Sequence, residues 1–346
     1  MGIDVDRWSL LALLRFALAF IVAVNHLAEY ATLGPLAWVP KFGAFEAILG
    51  FLLVSGYAVG ASYRKSPDGF YLRRAWRVYP VYLAAMVITF IATPAELTPS
   101  LLAVLVLNLL FLNQLFTTTS YVGPAWSLSL EVWLYALTPM LARLNHERIR
   151  MLVLCSVAIY VVNTCGRTLF HWPYPAWQGW GLNLLTLAFP WLLGFLLSNP
   201  QASKRQVLRW IALALAAHMA LAIVIQFGFR LKHAGLDAFW GGDAPEFALR
   251  SLTLLAVWWC LRYAVAPLTS GVERTRSAWL VFLGDVSYPL YLTHIPVAII
   301  CNGLGVHDPV LILGAMLVVA ALVYLLVDSY SRGREKRESI HSKALA

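Results

Sequence analysis

Two residues in the first apolar stretch, Arg15 and His26, are of types that membrane helices rarely carry. The stretch runs from Trp8 to Leu27. An arginine at mid-helix costs about 2.5–3.5 kcal/mol on insertion scales, so it needs a partner or a wet cavity. His26 follows eleven residues later, about 16 Å along a helix axis and close to three turns. Both side chains then face one side and place a fixed cation and a titratable base in one internal chamber.

Three further stretches put polar groups into apolar surroundings. In Gly123-Pro-Ala-Trp-Ser-Leu-Ser-Leu-Glu131-Val-Trp-Leu-Tyr135, the glutamate is an intramembrane carboxylate, and Ser127 and Ser129 cap or wet the start of its helix. The alternative for Glu131 is a structural ion pair with Arg15. In Tyr71-Leu-Arg-Arg-Ala-Trp-Arg-Val-Tyr-Pro80, Arg74 and Arg77 stand one helical turn apart with Arg73 adjacent. Such a fork suits bidentate phosphate binding, and plain anchoring at the membrane surface is the other reading. In Leu283-Gly-Asp-Val-Ser-Tyr-Pro-Leu-Tyr-Leu-Thr-His294, Ser287, Tyr291 and His294 share a face at spacings of four and three. His294 is either aimed at the bundle interior with the others or a satisfied packing residue. Gly50, Ser55, Gly56 and Gly60 read as small-residue spacing for close helix packing.

The elements that position these residues are membrane helices. Hydrophobic residues make up 60% of the chain and charged ones only 12%, about half the charge of a soluble globule. Apolar segments fall near 8–29, 42–62, 78–95, 101–116, 126–142, 149–165, 182–198, 209–229, 247–265, 279–301 and 309–328. If one segment between 78 and 142 fails to cross, 20 of the 26 basic residues, Arg274, Arg276 and the five of the tail included, share a face with the N-terminus. Only Lys41, Arg167, Arg230, Lys232 and Arg250 lie opposite. The positive-inside rule then predicts an all-α transmembrane bundle of about ten spans with both termini cytosolic. The non-crossing piece is 101–116, read as a re-entrant or broken helix covered by protein.

The same pattern predicts one transmembrane domain over 1–331 and a basic cytosolic tail over 332–346. Residues 167–180 and 230–246 read as outer loops. Arg15 breaks the apolar core that a cleavable signal needs. The net charge of +9 comes from the short loops and tail and not from a nucleic-acid face. Cys155, Cys165, Cys260 and Cys301 have no metal spacing and read as packing residues.

Together, Arg15-x10-His26, Ser55-Gly56-Tyr57 followed by Arg74-x-x-Arg77, Trp126-Ser-Leu-Ser-Leu-Glu131, and Gly284-x-x-Ser287-Tyr-x-x-Tyr-Leu-x-His294 occur in that order. The chain thereby resembles the acyltransferase-3 family of membrane O-acyltransferases from residue 10 to about 330. Val132 departs from the family, which often has a second glutamate there, so no carboxylate pair is assigned. The resemblance implies transfer of an acyl group, usually acetyl from acetyl-CoA, to a hydroxyl of a cell-surface or secreted glycan or its lipid-linked precursor. No metal is implied, and the setting is a plasma membrane, as in a bacterial inner membrane. His26 is implied as the catalytic base, Arg15 as oxyanion partner of the thioester, and Glu131 as the group that orients them. Arg73, Arg74 and Arg77 then hold the CoA phosphates, while Ser127, Ser287, Tyr291 and His294 contact substrate. A multi-pass transporter using buried Arg, Glu and His is the rival reading, although no inverted repeat is visible.

Overall fold

The computed structural model describes residues 6–233, 235–266 and 277–329. Arg274, Arg276 and the proposed tail at 332–346 lie outside the described residues. Asp6 caps the first helix by accepting from the Trp8 amide, and α1 runs over Arg7–Leu27. It is followed by α2 (Ala44–Lys65), α3 (Phe70–Ala92), α4 (Pro99–Leu109), α5 (Asn113–Phe116), α6 (Ala125–Ala142) and α7 (His146–Phe170). The second half holds α8 (Leu182–Leu197), α9 (Lys204–His233), α10 (Leu236–Ala238), α11 (Ala244–Val265), α12 (Ala278–Gly303) and α13 (Pro309–Val323). There is no strand among the described residues.

Local chemistry explains many boundaries. Thr98 and Asp308 cap α4 and α13, each with a proline at the first helical position. Asn145 caps α7 by accepting from Arg148 N, and Ser277 caps α12 by accepting from Leu280 N. Among the described residues, seven helices are long and apolar enough to cross a bilayer: α1, α2, α3, α7, α9, α11 with its lead-in, and α13 with its continuation to Asp328. Three others are shorter or more polar: α6 with 18 residues, α8 with 16, and α12 with 26. α8 is apolar but short, whereas the polar groups of α6 and α12 turn inward, which is why composition understates those two.

Segment 101–116 does not form one helix. The eleven residues of α4 span about 16 Å, roughly half a hydrocarbon core. The chain then turns at Phe111, whose φ is +54°, into the four-residue α5. Backbone at this depth needs protein partners. Asn108, fully buried, donates to the carbonyls of Val104 and Thr119 and accepts from Tyr121 N at 2.9 Å. Trp133 Nε1 donates to the Phe111 carbonyl, and Ser129 Oγ donates to Asn113 Oδ1 at 2.6 Å. The turn is pinned to α6 on the side away from Glu131.

Helix direction follows from which residues meet. Trp8 stacks on Tyr57 while Leu18 reaches Gly50, so α1 and α2 are antiparallel. Phe51 packs on the Tyr291 ring, whose hydroxyl meets Ser127, and Ser55 donates to Glu131. Hence α2 and α6 run the same way. Ala12, Arg15 and His26 meet Gly284, Ser287 and His294 in that order, so α1 and α12 are also parallel. A Cβ on Gly284 would lie 2.4 Å from that of Ala12, and one on Gly56 would lie 2.0 Å from the Trp191 carbonyl. Close approach there requires glycine, as the small-residue spacing implied.

Two expectations are corrected. The helix α3 begins at Phe70, eight residues before its apolar segment, so Arg73, Arg74 and Arg77 lie on a helix and not in a loop. Residues 230–246 are largely helical and not an outer loop, because α9 extends to His233 and α10 runs through a π-turn into α11. Arg230 clamps that corner with a forked pair to Asp243 at 2.6 and 3.0 Å.

Candidate functional site

A cavity of about 380 Å³ lies among α1, α2, α3, α6 and α12. One end is charged and carries Arg74 and Arg77 from α3, Trp8 from α1 and Asp285 from α12. Its walls along α2 extend from Val59 to Ile48, about 16 Å of helix axis. Arg15 and Glu131 line the middle, and Ser127, Phe51 and Tyr291 line the far end.

Each polar side chain is held by a neighbouring helix. Arg15 Nη2 donates to Ser287 Oγ at 3.3 Å, and the Ser287 hydroxyl donates in turn to the Gly284 carbonyl at 2.6 Å. Glu131 Oε1 accepts from Tyr135 OH at 2.5 Å and from Ser55. The Tyr135 ring in turn lies 5.6 Å from the Arg74 guanidinium, with the Phe70 ring at the same distance. The carboxylate thus fixes the tyrosine on which one arginine of the mouth rests. At the far end, Ser127 Oγ and Tyr291 OH are 2.6 Å apart. Each also reaches the Pro124 carbonyl at 3.3 Å.

Beyond Tyr291 stand the two histidines. The Tyr291 and His294 ring centres are 6.2 Å apart, and the His294 and His26 rings stack at 5.1 Å. His26 Nδ1 lies 3.0 Å from His294 Nε2, and His294 Nδ1 lies 3.1 Å from the Leu290 carbonyl. A carbonyl only accepts, so His294 Nδ1 carries a proton. Its neutral ring then accepts at Nε2, which places a proton on His26 Nδ1 and leaves the lone pair on His26 Nε2. His294 is fully buried, whereas His26 is partly exposed.

Residues 8–328 match the acyltransferase domain that defines a family of membrane acyltransferases. The chain belongs to the acyltransferase-3 family. No curated protein and no solved structure matches it. Within this family member, the structure sorts the residues singled out in the sequence. Arg15, Arg74, Arg77, Ser127, Glu131, Ser287 and Tyr291 share one cavity. Arg73 turns away and donates to the carbonyls of Ser66 and Asp68, closing the α2–α3 turn. His294 touches His26 with one ring nitrogen and Leu290 with the other, which leaves no nitrogen for a substrate. His26 lies past the cavity end and not on its wall.

Several partners were not anticipated. Tyr135 stands four residues after Glu131, a spacing at which helical side chains meet, and that signal was available. Phe51 and Asp285 carried none. A buried chain from Tyr160 OH to His218 Nδ1 (2.6 Å) and from His218 Nε2 to Glu46 (3.4 Å) joins α7, α9 and α2. Just beyond α7, the Tyr174 ring lies 4.8 Å from Arg167, and burial raises that phenol above its ordinary range. No three His, Cys, Asp or Glu side chains converge as a metal site among the described residues. Cys260 and Cys301 are buried packing residues, but Cys155 is exposed on the flank of α7.

Proposed function

We propose that this protein moves an acyl group, acetyl by the family resemblance, from acyl-CoA to a hydroxyl of a cell-surface glycan or its lipid-linked precursor, with His26 as general base. The observation that carries this reading is the His26–His294–Leu290 relay, which leaves the lone pair on the more exposed imidazole. The charged cavity mouth supports a CoA donor. Its guanidinium groups suit phosphates. Its axial length of about 16 Å is on the scale of a pantetheine arm in extended form.

The chemistry balances with no metal. The acceptor oxygen adds to the thioester carbonyl while its proton passes to His26 Nε2. The tetrahedral centre then collapses, the carbon–sulfur bond breaks, and His26 returns the proton to the CoA thiolate. A hydroxyl is a weak nucleophile at neutral pH, so a positioned base contributes about 10²–10⁴-fold. Arg15, bonded to Ser287 midway along the cavity, would guide the arm past it. Glu131 keeps Tyr135 and Arg74 in place.

In the same reading, α1, α2, α3, α6, α7, α8, α9, α11, α12 and α13 are ten spans in a plasma membrane, with both termini cytosolic. Parallel α1 and α12 support this count, because one more crossing in segment 101–116 would oppose them. Reporter fusions in the 64–70 and 143–146 loops are expected to report the same cytosolic face. Opposite faces would overturn the topology.

The function is tested with inverted membrane vesicles and radiolabelled acetyl-CoA. Label is expected in the glycan or lipid-linked saccharide fraction, with one free CoA thiol released per acetyl transferred. Mass analysis of surface glycans from cells with and without the protein identifies the acceptor. Label taken up intact, with no thiol release, would mark a transporter instead.

A further inference from the structure

Resting on the acyl-transfer reading above, we infer that Tyr291, backed by Ser127, is the donor that stabilises the oxyanion in this reaction. A general base and an oxyanion donor must reach the same carbon through one attacking oxygen. With contacts near 3 Å, the two protein groups stand no more than about 6–8 Å apart. Arg15 does not meet that limit. Its guanidinium is bonded at the level of Ser287, seven residues and about 10 Å of helix axis before His294, at whose level the base His26 stands. Tyr291 precedes His294 by only three residues, about 4–5 Å of axis, and its ring lies 6.2 Å from the His294 imidazole, on which the base His26 stacks.

Tyr291 is also where the cavity ends. It lines the far wall with Ser127 and touches His294 with the same ring, so a thioester at the end of the donor cavity meets its hydroxyl. The hydrogen bonds leave a proton to give. Two hydroxyl protons are shared between one short bond of 2.6 Å and two alternative bonds of 3.3 Å to the Pro124 carbonyl. One proton is committed to the Tyr291–Ser127 bond. With Ser127 donating that bond, the other proton is that of Tyr291, held only by a 3.3 Å contact to the Pro124 carbonyl, which an oxyanion displaces at little cost.

In the step proposed, the acceptor oxygen–carbon bond forms as the carbonyl π-pair moves onto oxygen. The pair is stabilised there by the Tyr291 proton. It returns as the carbon–sulfur bond breaks, and the proton lost by the acceptor goes through His26 to the leaving thiolate. Nothing is oxidised or reduced.

Tyr291→Phe keeps the ring packing against Phe51 and His294 and removes only the hydroxyl. In vesicles with radiolabelled acetyl-CoA, kcat is expected to fall 10²–10³-fold, the usual effect of one oxyanion donor. The acetyl-CoA KM should stay within about threefold. A second measurement replaces Tyr291 with a series of fluorotyrosines of increasing acidity. The rate should rise with acidity, a response that a purely packing ring would not give. A Tyr291→Phe rate within a few fold of wild type, or a change confined to KM, would overturn the assignment. If the phenylalanine variant fails to assemble, the fluorotyrosine series decides alone, and a flat series rejects the role. Absence of labelling in the wild-type protein would instead reject the acyl-transfer reading itself.

Discussion

His26→Ala lowers acyl transfer by about 10²–10⁴-fold while leaving acetyl-CoA affinity within about twofold. The size follows from what the alanine removes. The relay from the Leu290 carbonyl through His294 leaves the only available lone pair of the pair on His26 Nε2. Without it, the acceptor hydroxyl must give its proton to water or to nothing. His294 does not substitute, because it is fully buried and one of its nitrogens is committed to Leu290. Donor affinity is spared because His26 lies beyond the cavity that would hold CoA. The measurement is initial rate and donor KM in inverted vesicles, with protein levels matched by immunoblot. A covalent acyl-histidine route makes a different statement: wild-type protein would hydrolyse acetyl-CoA slowly with no acceptor present. Direct transfer gives no such hydrolysis. A His26→Ala protein that transfers at near wild-type rate removes the general-base assignment.

The second large effect is on donor binding. Joint replacement of Arg74 and Arg77 by alanine is expected to raise the acetyl-CoA KM by about 10²-fold or more. Hydrogen bonds to charged groups are each worth about 1.5–3 kcal/mol, and about 1.4 kcal/mol is a factor of ten. Two arginines at the mouth therefore carry at least two powers of ten between them. Arg73→Ala is the comparison. Arg73 holds the carbonyls of Ser66 and Asp68, so its loss should lower thermal stability in detergent and leave the KM nearly unchanged. Equal KM changes at Arg73 and at the Arg74–Arg77 pair would mean that the cluster anchors the helix start and binds no phosphate. Salt separates the two outcomes as well. Phosphate contacts weaken as ionic strength rises, so the wild-type KM should climb with salt and the double variant's should not.

Much of this protein is written locally. Membrane residence, the helical class and the position of nearly every helix follow from apolar runs and from caps such as Asp6, Asn145 and Asp308. The break in 101–116 was legible because the run is short and is followed by polar residues, and because charge counting left no room for another crossing. Arg15, His26 and Glu131 stood out because lipid makes ionisable groups costly, so each one has to be answered by another part of the chain. What answers them was not legible. Ser287 and His294 lie 272 and 268 residues from the groups they bond. Such distances are set by how helices pack, not by any local spacing. Glu131 is answered by Ser55 and Tyr135, and of these only Tyr135 stands at a local helical spacing. Arg73 and Arg74 are neighbours of one chemical type, yet a helix turns adjacent side chains about 100° apart, so one serves the loop and the other the cavity. The tautomer of His26 is the sharpest case. It depends on one backbone carbonyl in a helix far along the chain, brought within reach because Gly284 lets α12 lie against Ala12 of α1.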